Sequence, residues 1–456
     1  MNRSTSLKSM EGKMRNKRVC VIGAGISGIC QALRREEIGD DVTIFEEKSQ
    51  VGGVLKSTIS QGYLLDYGAN TFSLRSKKIK ELFEKFDILE HAIEANQNCS
   101  KRFIVRNGKI IPLPMGFFSF FTSPFLSLKG KLRLFIEPFL PPKNISDESM
   151  ASFIERRLGI EALEYAANPF VGGIYASKPE SLILKHAFPS LLEMEKNYGS
   201  IIKGIFKGGI NRDDKLPKSR LISFSGGMQE LPIRLAKNLA KDPVLNCMIT
   251  SVVKEKDGRW RIFGETSEKE KIEKVFDEII STLPSHCLTK IEWKSVTDVH
   301  LIKNLAQASY PPLVLTFLGY SRKQIRHPLD GFGFLVPEIE RRNILGTLFS
   351  STLFNNRAPK DKTLLTSFIG GERNAELFDL SDKEIITLSI AENQKLLGIK
   401  GQPEFSHLIR WPNSIPLPNQ STTMRLNAAS ILNQKNSGLI FSGSHILGAA
   451  LPSCMT

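Results

Sequence analysis

The sequence predicts an α/β fold, and three observations support this prediction. An apolar, strand-like run at residues 18–22 leads directly into a glycine-rich turn and then a helical stretch that reaches about Glu36. A second strand-like run follows at residues 42–45, so strand, helix and strand alternate. The length of 456 residues exceeds one ordinary small domain and allows two or three packing units.

The first turn has the pattern G-x-G-x-x-G, placed between a strand and a helix as the pattern requires. Gly23 permits the tight turn, Gly25 lets the backbone approach a pyrophosphate, and Gly28 lets the helix pack closely on the strand. The helix N-terminus offers unpaired N–H groups to the phosphates. We therefore predict a Rossmann-like unit whose cofactor site includes the whole turn, with Ala24, Ile26 and Ser27 as its remaining members.

The second strand ends at Glu46, 18 residues beyond Gly28. A carboxylate at this place can hold the two hydroxyls of a ribose. We assign Glu46 and its neighbour Glu47 to the same cofactor site. The order of these features, strand, glycines, helix, strand and acid, argues against a glycine-rich turn that arose by chance.

Composition places the chain among ordinary globular proteins, with 41% hydrophobic and 24% charged residues. The formal net charge of +15 permits nucleic acid, an anionic membrane surface or a multiply anionic small molecule as partner. The basic residues are dispersed, so we expect no nucleic acid partner. The six cysteines form no CxxC pair and the histidines form no HExxH or HxH, so we expect no metal and a reducing, cytoplasmic setting.

The first 18 residues are basic and polar without an apolar core, unlike a secretory signal. A transit peptide is conceivable, although Glu11 and the short length weaken that reading. Residues 1–13 are otherwise expected to be a flexible extension or to reflect a misplaced start. No run reaches the 18 or so apolar residues that span a bilayer, so we expect any membrane contact to be peripheral, on the inner face of the cell membrane.

Beyond Glu46 come the paired glycines Gly52 and Gly53, then the segment GYLLDYGAN at residues 62–70. This combination resembles the FAD-dependent amine-oxidase-like superfamily, whose first unit has a glutamate at the end of a strand, a glycine pair and the pattern G-[FY]-x-x-[DE]-x-G. In that superfamily the paired glycines run past the flavin diphosphate. Nicotinamide enzymes are not expected to carry this extension. The resemblance therefore implies FAD as a tightly bound cofactor, and it adds to the cofactor site Gly52, Gly53, Gly68, Ala69 and Asn70.

Longer blocks resemble the protoporphyrinogen oxidase family, which includes coproporphyrinogen III oxidases. The blocks are KRFIVRNGKIIPLP at residues 101–114, the stretch 147–204, FSGGMQELP at 224–232, GFGFLVP at 331–337 and LGTLFSS at 345–351. The resemblance runs from about residue 17 to the end, and blocks of this length are more specific than any single pattern.

The family's substrate is a porphyrinogen, a flexible macrocycle that bears propionate groups. Its oxidation needs hydride removal from carbon, which a flavin accepts, so we assign no catalytic side chain. The resemblance places Arg102 at the propionate-binding position, where a guanidinium can take a carboxylate with two parallel hydrogen bonds. Arg106 stays open as an alternative anchor. By the same resemblance Gly331 lies close to the substrate.

The resemblance further implies that Phe349 stacks on a pyrrole ring, although its apolar surroundings alone predict a core residue. Gly173 and Ile174 fall where the family lines the ring face. Plant relatives carry a glycine pair just after this point, whereas this chain has Ala176 and Ser177. That departure leaves the width of the pocket open.

The Phe-rich stretch at residues 115–125 is too short to cross a bilayer. Lys129, Lys131 and Arg133 supply nearby cations, so an interfacial helix or loop that dips into anionic lipid is one interpretation. The other is that the phenylalanines pack beneath a helical domain. We favour membrane contact, since exposed apolar patches usually mark interaction sites.

Near the carboxyl end, WPNSIP from Trp411 resembles the family's W-P-x-x-[IM]-P beside the flavin, and LIFSGS contributes Gly443 to the cofactor site. The aromatic-plus-His run that usually follows W-P-x-x-I-P is replaced by LPNQ. Residues 446–454 match the opening of a final helix whose N-terminus faces the flavin, but the sequence stops at Thr456. We expect either that the sequence is truncated or that the missing helix weakens FAD retention, since a helix N-terminus lends positive potential worth about 0.3–2 kcal/mol.

These placements predict a discontinuous FAD-binding domain, an α+β substrate domain and an inserted helical domain. The FAD-binding domain comprises residues 14–80, 215–285 and 405–456, and its middle part contains a hairpin. The resemblance to the amine-oxidase-like superfamily implies that the backbone of this hairpin, at Ile249, meets the adenine end of FAD. The substrate domain comprises 81–100 and 286–404, and residues 101–214 form the helical domain.

The sequence thus predicts an oxidase of the heme pathway that oxidises protoporphyrinogen IX and passes electrons to dioxygen. The same chemistry on coproporphyrinogen III stays open, as does an inactive flavoprotein that has lost its last helix. An amine oxidase or carotenoid desaturase is disfavoured by the extent of the porphyrinogen-type blocks. A homodimer is a further open expectation.

Overall fold

The computed structural model describes residues 16–207 and 220–455. Its strands are β1 (Arg18–Ile22), β2 (Asp41–Phe45), β3 (Ser57–Ser60), β4 (Tyr63–Asp66), β5 (Phe72–Leu74), β6 (Ala92–Glu94), β7 (Lys101–Arg106), β8 (Lys109–Pro112), β9 (Arg220–Phe224), β10 (Cys247–Lys254), β11 (Trp260–Thr266), β12 (Lys271–Phe276), β13 (Glu278–Ser281), β14 (Glu292–Lys294), β15 (Leu313–Ser321), β16 (Gly331–Leu335), β17 (Ile344–Leu348), β18 (Lys362–Gly370), β19 (Phe405–Trp411) and β20 (Leu439–Phe441). Its helices are α1 (Ile26–Glu37), α2 (Lys77–Lys85), α3 (Phe117–Thr122), α4 (Leu128–Ile136), α5 (Met150–Leu158), α6 (Ile160–Ala162), α7 (Asn168–Tyr175), α8 (Leu184–Ala187), α9 (Pro189–Tyr198), α10 (Ile201–Phe206), α11 (Glu230–Ala236), α12 (Leu301–Leu305), α13 (Ser350–Leu353), α14 (Asp382–Leu397), α15 (Ser421–Lys435), α16 (Ser444–Leu447) and α17 (Leu451–Cys454).

A parallel sheet in the order β2-β1-β13-β20 is assembled from distant parts of the chain. Its central strand β1 buries Val19 to Ile22, as expected for a strand covered on both faces. Because the strands are parallel, their carboxyl ends meet at one edge, and the glycine turn after β1 lies there. The α/β prediction is confirmed.

A second sheet, β12-β11-β10-β14, contains the predicted hairpin of β10 and β11. Its position is fixed by the end of β2. The Glu46 amide donates to the Val244 carbonyl over 2.9 Å, and the Cys247 amide donates to the Glu46 carbonyl, also over 2.9 Å. The start of β10 therefore lies beside the carboxyl edge of the parallel sheet.

The largest sheet has seven strands in the order β19-β15-β18-β17-β16-β7-β8. Helix α14 packs on one face through buried polar contacts. Thr316 bonds Ser389 over 2.6 Å, and Thr347 donates to Asn393 over 3.0 Å. Because side chains alternate along a strand, residues next to Thr316 and Thr347 point to the opposite face, which we call the crevice face.

Helices α3 to α10 form a helical unit held around one buried ion pair. Arg157 pairs with Glu137, and both side chains are almost completely buried. Glu137 also accepts the Ser200 hydroxyl and the amides of Ile201 and Ile202, the latter two over 3.0 and 3.2 Å. The carboxylate thus joins α5 to the start of α10.

The helical unit carries an exposed apolar surface on consecutive packed elements, which we call the apolar ridge. Its exposed residues are Phe118, Phe121, Leu132, Phe135, Ile136, Phe139, Ile205 and Phe206. In the described residues, no helix is long and apolar enough to cross a membrane.

The expectation that three cations flank the Phe-rich stretch is correct only for Lys129, which is exposed. The Lys131 ammonium is buried and donates to the carbonyls of Phe121 and Ser123 over 2.6 and 2.9 Å. Arg133 donates to carbonyls at the end of α5. Exposed cations instead flank Ile205 and Phe206, at Lys203 and Lys207.

Strand pairing changes two of the expected domain boundaries. Strands β7 and β8 belong to the seven-stranded sheet, not to the helical unit, because β7 pairs with β16. Strand β19 also belongs to that sheet, through β15, so residues 405–411 are not part of the parallel-sheet unit. The predicted extension at residues 1–13 and the boundary at 214/215 lie outside the described residues.

Candidate active site

The glycine turn has the geometry that its pattern predicts. Gly23 has a φ of +104°, and its amide donates to the Phe45 carbonyl over 2.8 Å. A Cβ at Gly28 would lie 1.9 Å from the Gly23 carbonyl oxygen, so only glycine fits there. A Cβ at Gly25, in contrast, would meet nothing within 4 Å. The open side of Gly25 therefore lies at the start of α1, where a phosphate can approach the helix N-terminus.

Glu46 lies directly against this turn. One carboxylate oxygen accepts the Ala24 amide over 2.7 Å, and the other accepts the Lys48 amide over 3.0 Å. Each carboxylate oxygen has a further lone pair, which can accept a ribose hydroxyl. Glu47 is exposed and takes part in neither of these two hydrogen bonds.

The second glycine pair closes the same crevice. The Gly52 amide donates to the Ala24 carbonyl over 2.8 Å, and Gly25 and Gly52 form a β-bridge. A Cβ at Gly53 would lie 3.3 Å from the Gly25 Cα, so the two backbones are nearly in contact. The paired glycines therefore run alongside the phosphate-binding turn.

The segment at residues 62–70 continues from this point to the seven-stranded sheet. A Cβ at Gly68 would lie 2.3 Å from a main-chain carbonyl oxygen, and Asn70 donates to the Gly68 carbonyl over 3.2 Å. The neighbouring Ala69 packs on the core beside α1. Trp411 donates to the Tyr67 carbonyl over 2.8 Å. The structure thus brings the predicted residues of the segment and Trp411 together.

Ile249 and Gly443 lie at opposite ends of the edge of the parallel sheet. Ile249 is buried in β10, two residues from the amide that bonds Glu46. Gly443 follows β20 with a φ of +106°, and a Cβ there would lie 3.0 Å from the Thr282 carbonyl oxygen. The short helix α17 follows, and its last residue, Cys454, is buried against α1.

These residues fit a flavin dinucleotide. The open backbone of Gly25 suits a diphosphate, the carboxylate of Glu46 suits a ribose, and the crevice continues past Gly53 to Trp411 and Gly443. Ile249 lies at the Glu46 end of this path, and Trp411 lies at its other end, toward the crevice face.

The crevice face is apolar and partly open. Phe368 lies in the cluster that includes Tyr67 and Trp411, and its ring is half-buried. Leu348, adjacent to Thr347, and Leu335 at the end of β16 are likewise half-buried. The sequence did not single out these three residues, because their place on this face depends on strand pairing and register that no local pattern shows.

Arg102 lies on this face near the end of β7. Its neighbour Phe103 packs with Phe334 and Phe349 on the opposite face, so Arg102 projects into the crevice. The guanidinium lies over the Phe332 ring at 4.2 Å, and its hydrogen bonds all run from Nη1 to main-chain carbonyls. Burial lowers the Arg102 pKa. Within residues 16–207 and 220–455 no carboxylate pairs with it.

Arg106, the alternative anchor, is already engaged. It pairs with Glu161 over 2.5 Å and stacks on the Tyr165 ring at 4.1 Å. Burial works to raise the pKa of Glu161, but hydrogen bonds from Ser127 and Arg106 outweigh it and lower that pKa. Arg106 therefore fastens the helical unit to β7.

Gly173 and Ile174 lie on α7 where it crosses the crevice face. A Cβ at Gly173 would meet Leu335 at 2.7 Å, and Ile174 is 42% exposed. At Gly331 the absence of a side chain serves packing within the sheet, since a Cβ there would lie 2.5 Å from the Phe103 ring. It permits close approach of β16 and β7 and is itself buried.

Phe349 does not lie in the crevice. Its side chain has no exposed surface and packs against Phe103, His327 and Phe334 in the core beneath α14. Phe368, in contrast, is a half-buried ring on the crevice face. The core reading of Phe349 is therefore the one that the structure supports.

A polar pair lies between the cofactor segment and the crevice face. The Tyr67 hydroxyl and His407 Nε2 are 3.1 Å apart, and their rings are stacked with centroids 5.7 Å apart. Burial lowers the pKa of His407 and raises the pKa of Tyr67, so both side chains are neutral near pH 7. No sequence pattern indicates this pair, because its members come from distant parts of the chain.

Comparison with known proteins supports the same cofactor. The family described as flavin containing amine oxidoreductase matches residues 26–455. The chain is 34% identical to protoporphyrinogen oxidase 2, chloroplastic/mitochondrial, of Arabidopsis thaliana, over 94% of this chain and 90% of that one. It is 26% identical to coproporphyrinogen III oxidase of Staphylococcus aureus (strain NCTC 8325 / PS 47), over 96% and 97% of the two chains. A crystal structure of a protein from Exiguobacterium sp. 255-15 shares the fold, with a TM-score of 0.80 at 21% identity over 97% of both chains.

Proposed function

Because the chain belongs to the flavin-containing amine oxidoreductase family, we propose that it oxidises protoporphyrinogen IX to protoporphyrin IX in heme biosynthesis, with FAD as cofactor and dioxygen as electron acceptor. The observation that carries the proposal is the position of Arg102. It is a half-buried cation without a carboxylate partner in the described chain, on an apolar face beside the cofactor crevice. A macrocycle with apolar faces and propionate groups has matching chemistry.

The side chains bind and orient the substrate. FAD, when bound, supplies the acceptor for a hydride. Leu335, Leu348 and Phe368 offer an apolar surface that excludes water from the macrocycle. Arg102 holds a propionate with Nε and Nη2, since its carbonyl contacts use Nη1. His407 is neutral, so it places no positive charge beside the ring that loses a hydride.

Coproporphyrinogen III is the second candidate, supported by the coproporphyrinogen oxidase relatives. Its two additional propionates would require further cations. The two other cations on β7 are occupied, since Lys101 pairs with Asp330 and Arg106 pairs with Glu161. Arg373 donates to Val336 and Asn168. This pattern favours the substrate with fewer propionates.

The test is a visible spectrum of the purified protein before and after anaerobic addition of each porphyrinogen. We expect a bound flavin whose absorption bleaches with protoporphyrinogen IX while porphyrin fluorescence rises. Bleaching with coproporphyrinogen III alone would transfer the assignment to that substrate. A flavin that neither compound reduces, or a protein that takes up no added FAD, would support the inactive flavoprotein and end the oxidase proposal.

We also propose that the apolar ridge contacts a membrane peripherally. Phe118, Phe139 and Phe206 are each more than 80% exposed, at 86%, 84% and 82%, which is unusual for large apolar side chains on one helical unit. Lys203 and Lys207 on and beside α10 are suited to lipid phosphates. The ridge would then hold the protein at a bilayer surface, as interfacial helices do.

A further inference from the structure

Helix α15 carries an arginine whose guanidinium is closed off from solvent. Arg425 is 1% exposed. Its Nη1 donates to the His445 carbonyl over 3.2 Å, and its Nη2 donates to the Leu417 carbonyl over 3.0 Å and to the Thr422 hydroxyl over 2.7 Å. Its Nε has no hydrogen-bond partner in the described structure.

The positive charge of Arg425 is not balanced by a carboxylate anywhere in the part of the chain that the structure describes. The other two guanidiniums with comparable burial are each paired, Arg157 with Glu137 and Arg357 with Asp66. The titratable groups whose charge interacts with that of Arg425 are Tyr310, His186 and His445, none of them acidic near pH 7. An isolated buried charge is costly, so a site that keeps one needs an anionic partner.

The two carbonyls that Arg425 binds belong to the two walls of the cofactor crevice. Leu417 lies in the segment that follows Trp411, and His445 lies two residues after Gly443. One guanidinium therefore fixes the distance between the loop after β19 and the loop after β20. The His445 ring lies beneath the same loop, and neither of its nitrogens has a partner in the described structure.

The chemistry of the crevice supplies a negative charge at this place. A hydride carries one proton and two electrons, so its transfer adds one negative charge to the group that accepts it. A fixed cation nearby stabilises the more negative state. Such fixed charges are among the means by which a protein tunes the electronics of a flavin.

We propose that Arg425 is a positioning residue of the cofactor crevice and the fixed positive charge that favours the reduced form of the bound FAD. The proposal rests on the proposed function only in requiring FAD and not in requiring a porphyrinogen. One side chain then sets the distance between the loops after β19 and β20 and also favours the more negative, reduced state of the cofactor.

The test separates charge from spacing with substitutions at two residues. Arg425→Gln removes both the positive charge and the bonds that space the two loops. Thr422→Asp places a carboxylate within reach of Nη2, so it neutralises the charge while the bonds from Arg425 to the two carbonyls remain. Thr422→Asn is the neutral, similarly sized control. The measurement is the reduction potential of the bound flavin in the holoprotein, titrated against a reference dye without substrate, together with the dissociation constant of FAD.

We expect Arg425→Gln and Thr422→Asp each to make reduction of the flavin at least tenfold less favourable. This corresponds to a reduction potential lower by about 30 mV for a two-electron couple. Arg425→Gln should also weaken FAD binding at least tenfold, and Arg425→Lys should retain most of the potential but only part of the affinity. Thr422→Asn should leave the potential unchanged. A control at the other side of Trp411, Arg410→Gln, should also leave it unchanged, because Asp382 balances that charge.

Equal potentials for Thr422→Asp and Thr422→Asn would overturn the electrostatic part, and this comparison holds even if Arg425→Gln does not fold. Wild-type FAD affinity in Arg425→Lys and Arg425→Gln would overturn the positioning part. Because no porphyrinogen is used, failure to oxidise porphyrinogens would end the proposed function without affecting this result.

Discussion

At the scale of single residues, Gly25 and Gly28 are glycines for different reasons. The first has open space where a Cβ would be, and the second would bring a Cβ to 1.9 Å from a backbone oxygen. A methyl group at Gly25 would fill space needed by a phosphate, whereas one at Gly28 would push α1 away from β1. The same pattern thus contains one position that serves the ligand and one that serves the fold.

We therefore expect Gly25→Ala to leave the free energy of unfolding of the apoprotein within about 0.5 kcal/mol of wild type, as is usual for changes that disturb no packing. The dissociation constant of FAD should rise at least tenfold. Gly28→Ala should lower the stability of the apoprotein itself. Urea unfolding and FAD titration by fluorescence measure both; loss of apoprotein stability in Gly25→Ala would contradict the distinction.

Arg102 is expected to act on substrate binding. Arg102→Leu should raise the KM for protoporphyrinogen IX roughly ten- to a hundredfold, since a hydrogen bond to a charged group contributes about 1.5–3 kcal/mol. The flavin spectrum and FAD affinity should not change. Arg106→Leu is the comparison variant, and it should lower stability through loss of the Glu161 contact while KM stays close to wild type. The reverse pattern of KM values would make Arg106 the anchor.

The burial of His445 should make the free energy of unfolding depend on pH. Burial, followed by the nearby Arg425 and His286, lowers its pKa from 6.5 to about 3. Between these values the unfolded chain binds a proton that the folded chain does not, so stability contributed by His445 is present above pH 6.5 and is lost as pH falls toward 3. The slope is at most about 1.4 kcal/mol per pH unit.

His445→Phe should therefore lose less free energy of unfolding than wild type between pH 6.5 and pH 5, by about 2 kcal/mol at most. Urea unfolding of the apoprotein at the two pH values measures the difference. His300→Gln, at an exposed position, controls for the loss of any imidazole. Parallel pH profiles for wild type and His445→Phe would show that His445 is not the group responsible.

At the scale of secondary-structure elements, the buried pair of Glu137 and Arg157 is the clearest determinant of the helical unit. Removing one member leaves a buried, unpaired charge, which typically costs about 3–5 kcal/mol. Glu137→Gln should lower the free energy of unfolding by about that amount in a urea titration. Glu81→Gln, which breaks an exposed pair with Lys77, should change it by less than about 0.5 kcal/mol. Similar losses for the two variants would contradict the assignment.

The elements also explain why the first turn was predictable and the substrate face was not. The turn is local, since residues 23–28 and their two flanking strands specify its shape by themselves. The crevice face depends on strand register, which a β-bulge between Ile344 and Gly346 alters. Leu345 and Thr347 consequently face opposite sides although they are two residues apart. Regular alternation predicts Phe349 in the crevice, and the bulge moves it into the core.

At the scale of the whole molecule, the fold class and the family could be predicted, while the boundaries of the units could not. The composition of an element does not reveal its partner strand. Residues 405–411 end at the predicted cofactor residue Trp411, yet they pair with β15 in the seven-stranded sheet. Pairing over such distances is decided by tertiary packing, which local sequence does not encode.

The apolar ridge predicts how the whole molecule behaves toward lipid. Phe118→Ser combined with Phe139→Ser should reduce cosedimentation with vesicles that contain anionic lipid at least tenfold, because burial of one Phe side chain contributes about 1.5–3 kcal/mol. Ile59→Ser is the matched control, since Ile59 is 71% exposed on a different unit. Lys203→Gln with Lys207→Gln should weaken only the salt-dependent part of binding. Unchanged cosedimentation of the double Phe variant would rule out contact through the ridge.

The assembly of the parallel sheet from remote segments also constrains how the protein is made. Cys20 in β1 pairs with Ile279 in β13, and Ile280 pairs with Ile440 in β20. During synthesis on a ribosome the glycine turn emerges early, but its neighbouring strands emerge late. Folding dominated by such non-local pairings is slow and leaves apolar strands exposed for longer. The complete FAD site therefore forms only after nearly the whole chain has been translated, and we expect the nascent chain to need protection of its apolar strands before it can bind its cofactor.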